Sequence, residues 1–433
     1  MKKIIFTGGT GRFAKVFKKF KTNYKIYYPN KKKLNINKLY SIKKYVNKIK
    51  PDYLIHCAAL SRPMSIHDQD INKSIDTNII GTSNIVKIDT AAQTMYFTAF
   101  GKETGEHPYY QHLYSVRFDG SRLQHLSTES GNHQIYASEK GNYFVDNIST
   151  VHEPTRSVLR DGSGKIILEL QQVNIDRATE LGWEVPEIFT VKAADGATDL
   201  YGVMWKPFDF DPNKKYPIIS YVYPGPQTEP FPITFGASRH QALAQVGFIV
   251  VAFGNRGGSP LRSRYYHTYG YGDLRDYPLA DNRYGLEQLI GRYNFVDGSK
   301  VGIYGHSGGG FMSTAALLTH PDFYDVAVSS AGNHDNNVYN RWWSETHNGV
   351  EETIKVIKEM GEDSVEIEKT ITTFDGPIET NAALAKNLQG KLLLVHGNID
   401  NNVHPANTIR LVDALVKEGK RFDMMILPGR RHG

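Results

Sequence analysis

The chain has 433 residues, 40% of them hydrophobic and 22% charged, which is enough to bury more than one core and ordinary for a globular protein. No apolar run approaches 18 residues, so no membrane-spanning helix is expected, and the single cysteine, Cys57, excludes an internal disulfide and argues against a cysteine-based metal site. The net charge of +6 hides an asymmetry: residues 1–88 carry 19 Lys and Arg against 4 Asp and no Glu, and the rest is net acidic. These lysines are spread over helical apolar spacing rather than gathered on one arm, so a nucleic-acid partner is not expected. Lys2 and Lys3 precede an apolar run that ends after "IIF", which reads as a buried strand and not as a signal peptide. Without an export signal the expected compartment is the cytoplasm.

The first segment alternates strands and helices. "KKIIFTGG", "YKIYYP" and "DYLIHCAAL" read as strands; "RFAKVFKKFK", "INKLYSIKKYVNKIK" and "INKSIDTNIIGTSNIVKI" read as helices. This alternation implies a parallel sheet. Gly8, Gly11 and Ala14 place small residues in the first strand-to-helix turn, where a backbone can approach a pyrophosphate. The set "TGGTGRFA", "PDYLIHCAA" and "NIIGTSNIV" resembles the front of an extended short-chain dehydrogenase over residues 1–88. The resemblance implies a partial Rossmann-like unit binding NAD(P) at Thr7, Gly8, Gly11, Arg12, Phe13 and Cys57–Ala59. "YASEK" adds Tyr136 and Lys140 at the spacing that dehydrogenase proton transfer uses, with Asn78 upstream. The text around it is broken by Gly, Asn and Asp and reads instead as a strand pair.

Residues 92–185 read as all-β. Seven short strands, from "TMYFTAFGK" to "KIILELQQ", follow one another at regular intervals. At four strands per propeller blade, this is a remnant of under two blades.

From residue 188 to 433 the pattern becomes that of an α/β sheet with mostly parallel strands. Its strand cores are "PIISYVYPGP", "FIVVAFGN", "KVGIYGHS", "DVAVSSAG", "KLLLVHGN" and "FDMMILPG". "GIYGHSGGGFM" runs strand, Gly305-x-Ser307-x-Gly309, helix, which is the context of a nucleophile elbow. Asp400 follows a later strand and His432 the next. Serine, aspartate and histidine in that chain order, each at a strand end, is the α/β-hydrolase arrangement. Serine is a weak nucleophile and needs an imidazole base, which a carboxylate orients. "EETIKVIKEMGEDSVEIEK" reads as a solvated insertion with a helical start, and His396 and His404 as loop residues.

The motifs "VYPGP", "NRGGSP", "GIYGHSGGG", "HGNIDNNVHP" and "LPGRRHG" resemble the prolyl oligopeptidase family, in its dipeptidyl peptidase IV branch, over residues 92–433. The resemblance implies a serine peptidase that needs no cofactor and no metal and takes a peptide substrate; a homodimer is one assembly open to it, and the sequence does not fix the oligomeric state. It implies Ser307 as nucleophile, His432 as base and Asp400 as its orienter. Tyr223 and the Gly308 backbone N–H become the oxyanion donors, and Asn402 a contact to a substrate carbonyl. Tyr339, Trp342 and Trp343 in "NVYNRWWSE" fall where the family builds a pocket for the residue before the cut bond. The propeller carboxylates that hold a peptide's free amino end in that family have no counterpart that can be carried over. The whole reads as a dehydrogenase-like front, a propeller remnant and a peptidase domain in one chain, a fusion or a fragment. The competing readings are an NAD(P)-dependent sugar-nucleotide reductase, carried by the N-terminal segment, and an inactive fusion or fragment.

Overall fold

The computed structural model describes residues 2–10, 12–19, 22–36, 38–55, 85–349, 351–360, 366–375 and 378–433. The chain divides into two compact units. One comprises Met1–Leu181 with Ile233–Gly236 and Pro260–Arg264; the other comprises Gly182–Pro232, Ala237–Ser259 and Tyr265–Gly433.

The first unit opens with three short parallel strands, β1 (Lys3–Phe6), β2 (Lys25–Tyr27) and β3 (Tyr53–Ile55), in the order β2-β1-β3. Helices α1 (Arg12–Phe17) and α2 (Leu39–Ile49) connect them. Ile5 packs with Leu34 and Ile49 in a small core.

Two four-stranded antiparallel meanders follow. The first is β4 (Ile85–Asp89), β5 (Thr94–Phe100), β6 (Gln111–Arg117) and β7 (Gln124–His125). The second is β8 (Asn132–Ala137), β9 (Tyr143–Ser149), β10 (Arg156–Asp161) and β11 (Ile166–Gln172). Each has the four strands of a propeller blade. The count therefore corrects the expected seven strands to eight. The extra strand, Ile85–Asp89, was assigned to the end of a helix. Its Ile85, Val86 and Ile88 are β-branched, and it pairs antiparallel with β5, where such side chains lose little freedom. The remainder of that expected helix lies outside the described residues.

The second unit is an eight-stranded sheet in the order β12-β13-β15-β14-β16-β17-β20-β21. Its strands are β12 (Glu187–Lys192), β13 (Asp199–Trp205), β14 (Tyr216–Tyr221), β15 (Ile249–Phe253), β16 (Val296–His306), β17 (Val326–Ser330), β20 (Lys391–Gly397) and β21 (Asp423–Leu427). The sequence reading missed the antiparallel pair β12 and β13. The other strands are parallel. β15 is buried at every position, as a strand covered on both faces must be.

Helix α3 (Leu279–Arg292) and the largely buried α4 (Gly308–Thr319), together with α6 (Ala406–Lys417), contribute Leu286, Leu289, Phe311, Met312, Leu411 and Leu415 to one core. Helix α5 (Arg341–Asn348) carries the two tryptophans. Residues 351–360 are not a helix but strand β18 (Glu351–Met360), which pairs antiparallel with β19 (Glu366–Asp375). Thr, Ile and Val crowd both segments, and their β-branched side chains favour strand over helix.

Candidate active site

The parallel strands end on one edge of the sheet, and the site is assembled there, as is usual for open α/β sheets. β16 ends at His306, and α4 begins at Gly308. Between them Ser307 sits at φ 57° and ψ −120°. A non-glycine residue rarely occupies this region, and the cost is of order 1–3 kcal/mol. Three features hold it there. The Ser307 N–H donates to Ser330 O at 2.8 Å, and Ser307 O accepts from Phe311 N–H at 3.0 Å. Gly305 packs so closely that a Cβ would lie 2.5 Å from Gly309 and from Val222 O. Gly309 in turn faces Val222 O with no room for a side chain. The glycines of the elbow therefore serve close packing as well as turn formation.

His432 reaches this serine from the loop after β21. Its Nε2 is 2.9 Å from Ser307 Oγ, and its Nδ1 is 2.7 Å from Asp400 Oδ2. The loops bearing His432 and Asp400 are tied together. Asn398 N–H donates to Leu427 O and Ile399 N–H to Arg430 O, each at 3.2 Å, while Asn398 Oδ1 accepts from Gly429 N–H at 2.7 Å.

Asp400 is 3% exposed. Its Oδ1 accepts from the backbone N–H groups of Asn402 and Val403, both at 2.9 Å. Burial pushes this carboxyl's pKa up, but the His432 hydrogen bond and the two backbone donors outweigh it, and the net shift is downward. Asp400 is therefore ionised at neutral pH and accepts Nδ1–H of His432. That tautomer leaves the Nε2 lone pair facing the Ser307 hydroxyl.

Three further histidines lie near the chain of hydrogen bonds in sequence or in space. His396, expected in a loop, is buried at the end of β20. Its Nε2–H donates to Val403 O at 2.9 Å and its Nδ1 accepts from Thr408 Oγ1 at 2.7 Å. It thus fixes the turn that presents Asp400. His404 is exposed, and its Nδ1 accepts from Ala406 N–H at 3.1 Å. His306 was not singled out in the sequence, although it is the residue before the serine in the motif. Its ring lies 4.7 Å from that of His432, its Nδ1 lies 3.0 Å from Ser330 Oγ, and burial holds its pKa below the usual imidazole value.

A cleft of about 540 Å³ opens beside the serine. Tyr223, Ser307, Gly308, Tyr339 and Trp343 line it, together with Arg275 and Asn336. Burial raises the Tyr223 pKa, so its phenol stays protonated and can donate. Pro224 O accepts from Tyr277 Oη, which fixes the turn after Tyr223. Tyr339 Oη donates to Asn402 Oδ1 at 3.3 Å, and the Tyr339 and Trp343 rings meet edge to face at 5.6 Å. Trp342 departs from expectation. It is 62% exposed and is not among the cleft's lining residues, because neighbouring residues on α5 point about 100° apart.

The N-terminal candidates do not converge in the same way. Thr7 is buried and donates its backbone N–H to Ile55 O at 2.9 Å; Gly8 has φ 69°. Gly9 packs on the Tyr28 backbone, where a Cβ would come within 2.5 Å, so this small residue is accounted for by packing. Arg12 and Phe13 begin α1. Gly11, Cys57–Ala59 and Asn78 lie outside the described residues. Tyr136 is 52% exposed on β8, and Lys140 lies in the turn before β9, so both belong to an antiparallel hairpin rather than to a helix. No group of acidic, histidine or cysteine side chains suited to a metal occurs among the described residues, and no described helix is long and apolar enough to cross a membrane.

Residues 234–433 match the model of the prolyl oligopeptidase family, and residues 15–155 match that of the dipeptidyl peptidase IV N-terminal region. The matches support the prolyl oligopeptidase family. Human dipeptidyl peptidase 8 is 29% identical over 358 residues, covering 80% of this chain and 38% of that protein. A dipeptidyl aminopeptidase IV-type structure from Bacteroides ovatus superposes with a TM-score of 0.68 at 27% identity, over 81% of this chain and 47% of that one. Porphyromonas gingivalis dipeptidyl peptidase 4 gives 0.66 at 24% identity, over 80% and 46%, a likeness of fold. The chain thus spans well under half the length of the curated relative. The family match over residues 234–433 and the likeness to the Bacteroides ovatus structure support an α/β-hydrolase domain in the second unit. The N-terminal match crosses residue 88 and suggests a propeller-like region, and it leaves the dehydrogenase-like reading of residues 1–88, with its NAD(P) site, without support.

Proposed function

We propose that the chain is a serine peptidase of dipeptidyl peptidase type, which hydrolyses peptide bonds through Ser307, His432 and Asp400. The observation that carries this reading is the continuous hydrogen-bonded path from Ser307 Oγ through His432 to Asp400, at 2.9 and 2.7 Å. Ser307 Oγ attacks the scissile carbonyl carbon while its proton passes to His432 Nε2. The carbonyl π electrons move onto oxygen, where Tyr223 Oη–H and Gly308 N–H donate to the developing charge. Asp400 stabilises the imidazolium without taking its proton. His432 then gives the proton to the leaving amine, the C–N bond breaks, and an acyl-Ser307 remains. Water repeats the sequence and frees the peptide acid. Tyr339, Trp343 and Asn402 hold the substrate on the acyl side of the cut bond.

The names of the relatives support release of dipeptides from peptide N-termini. The test is labelling of the intact chain with a fluorophosphonate, followed by peptide mapping. Modification of Ser307, absent from Ser307→Ala and His432→Ala, is the expected result. A protein that remains unlabelled, or is labelled at another serine, would overturn the assignment.

A further inference from the structure

Arg275 and Asn336, which line the cleft beside Ser307, carry three buried side-chain donors that have no hydrogen-bond partner among the described residues. Arg275 lines it with its side chain 6% exposed, and Nε and Nη2 are buried without a hydrogen-bond partner among the described residues. Asn336 lines the same cleft, 2% exposed, and its Nδ2 is equally without a partner there. The Asn336 amide is oriented by Asn333 Nδ2, which donates to its Oδ1, so Nδ2 is the group left over.

The chemistry of the free atoms is specific. Nε and Nη2 form one edge of a guanidinium, with two nearly parallel N–H bonds whose spacing matches the oxygens of a carboxylate. The remaining nitrogen, Nη1, is the occupied one. It pairs with Asp276 Oδ1 and lies 3.4 Å from Glu379 Oε2. Those carboxylates are 47% and 54% exposed. Water therefore screens them, and they leave the Nε–Nη2 edge open.

Burying charged donors without acceptors is costly. A pocket meant only for an apolar side chain would be completed by aromatics such as Trp343 and Tyr339 and would have no use for this edge. We propose that the cleft binds a substrate side-chain carboxylate, with Arg275 Nε and Nη2 as a bidentate clamp and Asn336 Nδ2 as a third donor, so that cleavage follows glutamate or aspartate. The proposal rests on the hydrolase reading for the position of the cut bond, since Tyr223, Ser307 and Gly308 line the same cleft.

The test separates the two. In a Ser307→Ala background, which binds without cutting, the tripeptide amides Ala-Glu-Ala, Ala-Asp-Ala, Ala-Gln-Ala and Ala-Pro-Ala are titrated calorimetrically. An acidic second residue should bind about 10- to 100-fold more tightly than its neutral Gln counterpart, the range expected of a charge-assisted bidentate contact. Arg275→Met should bring that ratio to about 1. Arg275→Lys, which keeps the charge but not the fork, should give an intermediate ratio and guards against a Met variant that fails to fold. Equal affinity for Glu and Gln peptides, or a preference for Pro that Arg275→Met leaves intact, overturns the carboxylate subsite while leaving the hydrolase reading standing. Glu-selective binding in a protein whose Ser307 resists fluorophosphonate overturns the hydrolase reading and leaves the subsite standing.

Discussion

His432 Nε2 lies 2.9 Å from Ser307 Oγ although 125 residues separate them in the chain. The contact exists because β16 and β20–β21 run parallel in one sheet and end on the same edge. Each residue occupies the first turn or loop beyond its strand.

Ser307→Ala should therefore abolish hydrolysis of dipeptide arylamides, with a loss in kcat on the order of a million-fold, and His432→Ala should lose nearly as much, because members of such a unit fail together. Steady-state turnover on the purified full chain checks this. Retention of most activity in Ser307→Ala would remove the serine from the mechanism.

Asp400→Asn keeps the shape of the side chain but can present N–H to His432, which favours the wrong tautomer. A fall in kcat of roughly ten-thousand-fold is expected, with little change in KM. The variant also carries a pH signature. The folded Asp400 pKa is depressed, with burial opposing the shift and the hydrogen bonds from His432, Asn402 and Val403 prevailing. Ionised Asp400 therefore stabilises the fold above the unfolded carboxyl pKa of about 3.9, and this contribution is lost as pH falls through the folded value. Melting curves from pH 6 down to 3 should show that acid-dependent loss in the parent and a smaller one in Asp400→Asn. Parallel curves would contradict the depressed pKa.

Tyr223→Phe removes one oxyanion donor and leaves the ring in place. Turnover should fall by about a hundred-fold, near 3 kcal/mol of transition-state stabilisation, with similar KM. Unchanged kcat in the Phe variant would exclude the tyrosine hydroxyl from that role.

In the first unit, Arg160 is 1% exposed and donates through Nε to Asp146 Oδ2 at 2.7 Å and through Nη1 to Gly164 O at 2.9 Å. His133 shares the same Asp146 oxygen at 2.8 Å. Arg160→Met leaves the buried Asp146 carboxylate with His133 alone and should destabilise this unit by about 3 kcal/mol. Hydrogen exchange of β8–β10 amides reads the effect locally. Unaltered protection there would show that the network contributes little.

Much of the site was legible in the chain. Ser307, Asp400 and His432 stand after apolar strand cores in the hydrolase order, and Gly305 and Gly309 announce a turn that only small residues permit. All of these are local signals, carried by spacing and backbone conformation. The seven strands of residues 92–172 were legible for the same reason, since alternation and turn residues repeat within each hairpin.

What the sequence could not decide was set by partners distant in the chain. Ile85–Asp89 is apolar enough to be helix or strand, and its pairing with β5 settles it. Residues 351–360 and 366–375 mix charges with β-branched residues, and the register of Glu351 on Asp375 pairs them as antiparallel strands. Trp342 and Trp343 are identical as letters, yet the step of about 100° between neighbours on α5 leaves the first in solvent and sets the second into the cleft. Arg275 looks like any charge in "GDLRDYP". Only the packing that buries its Nε–Nη2 edge beside Ser307, away from water and from every acceptor among the described residues, makes it a binding group. The order of strands and the exclusion of water are properties of the assembled sheet, and no short window of sequence contains them.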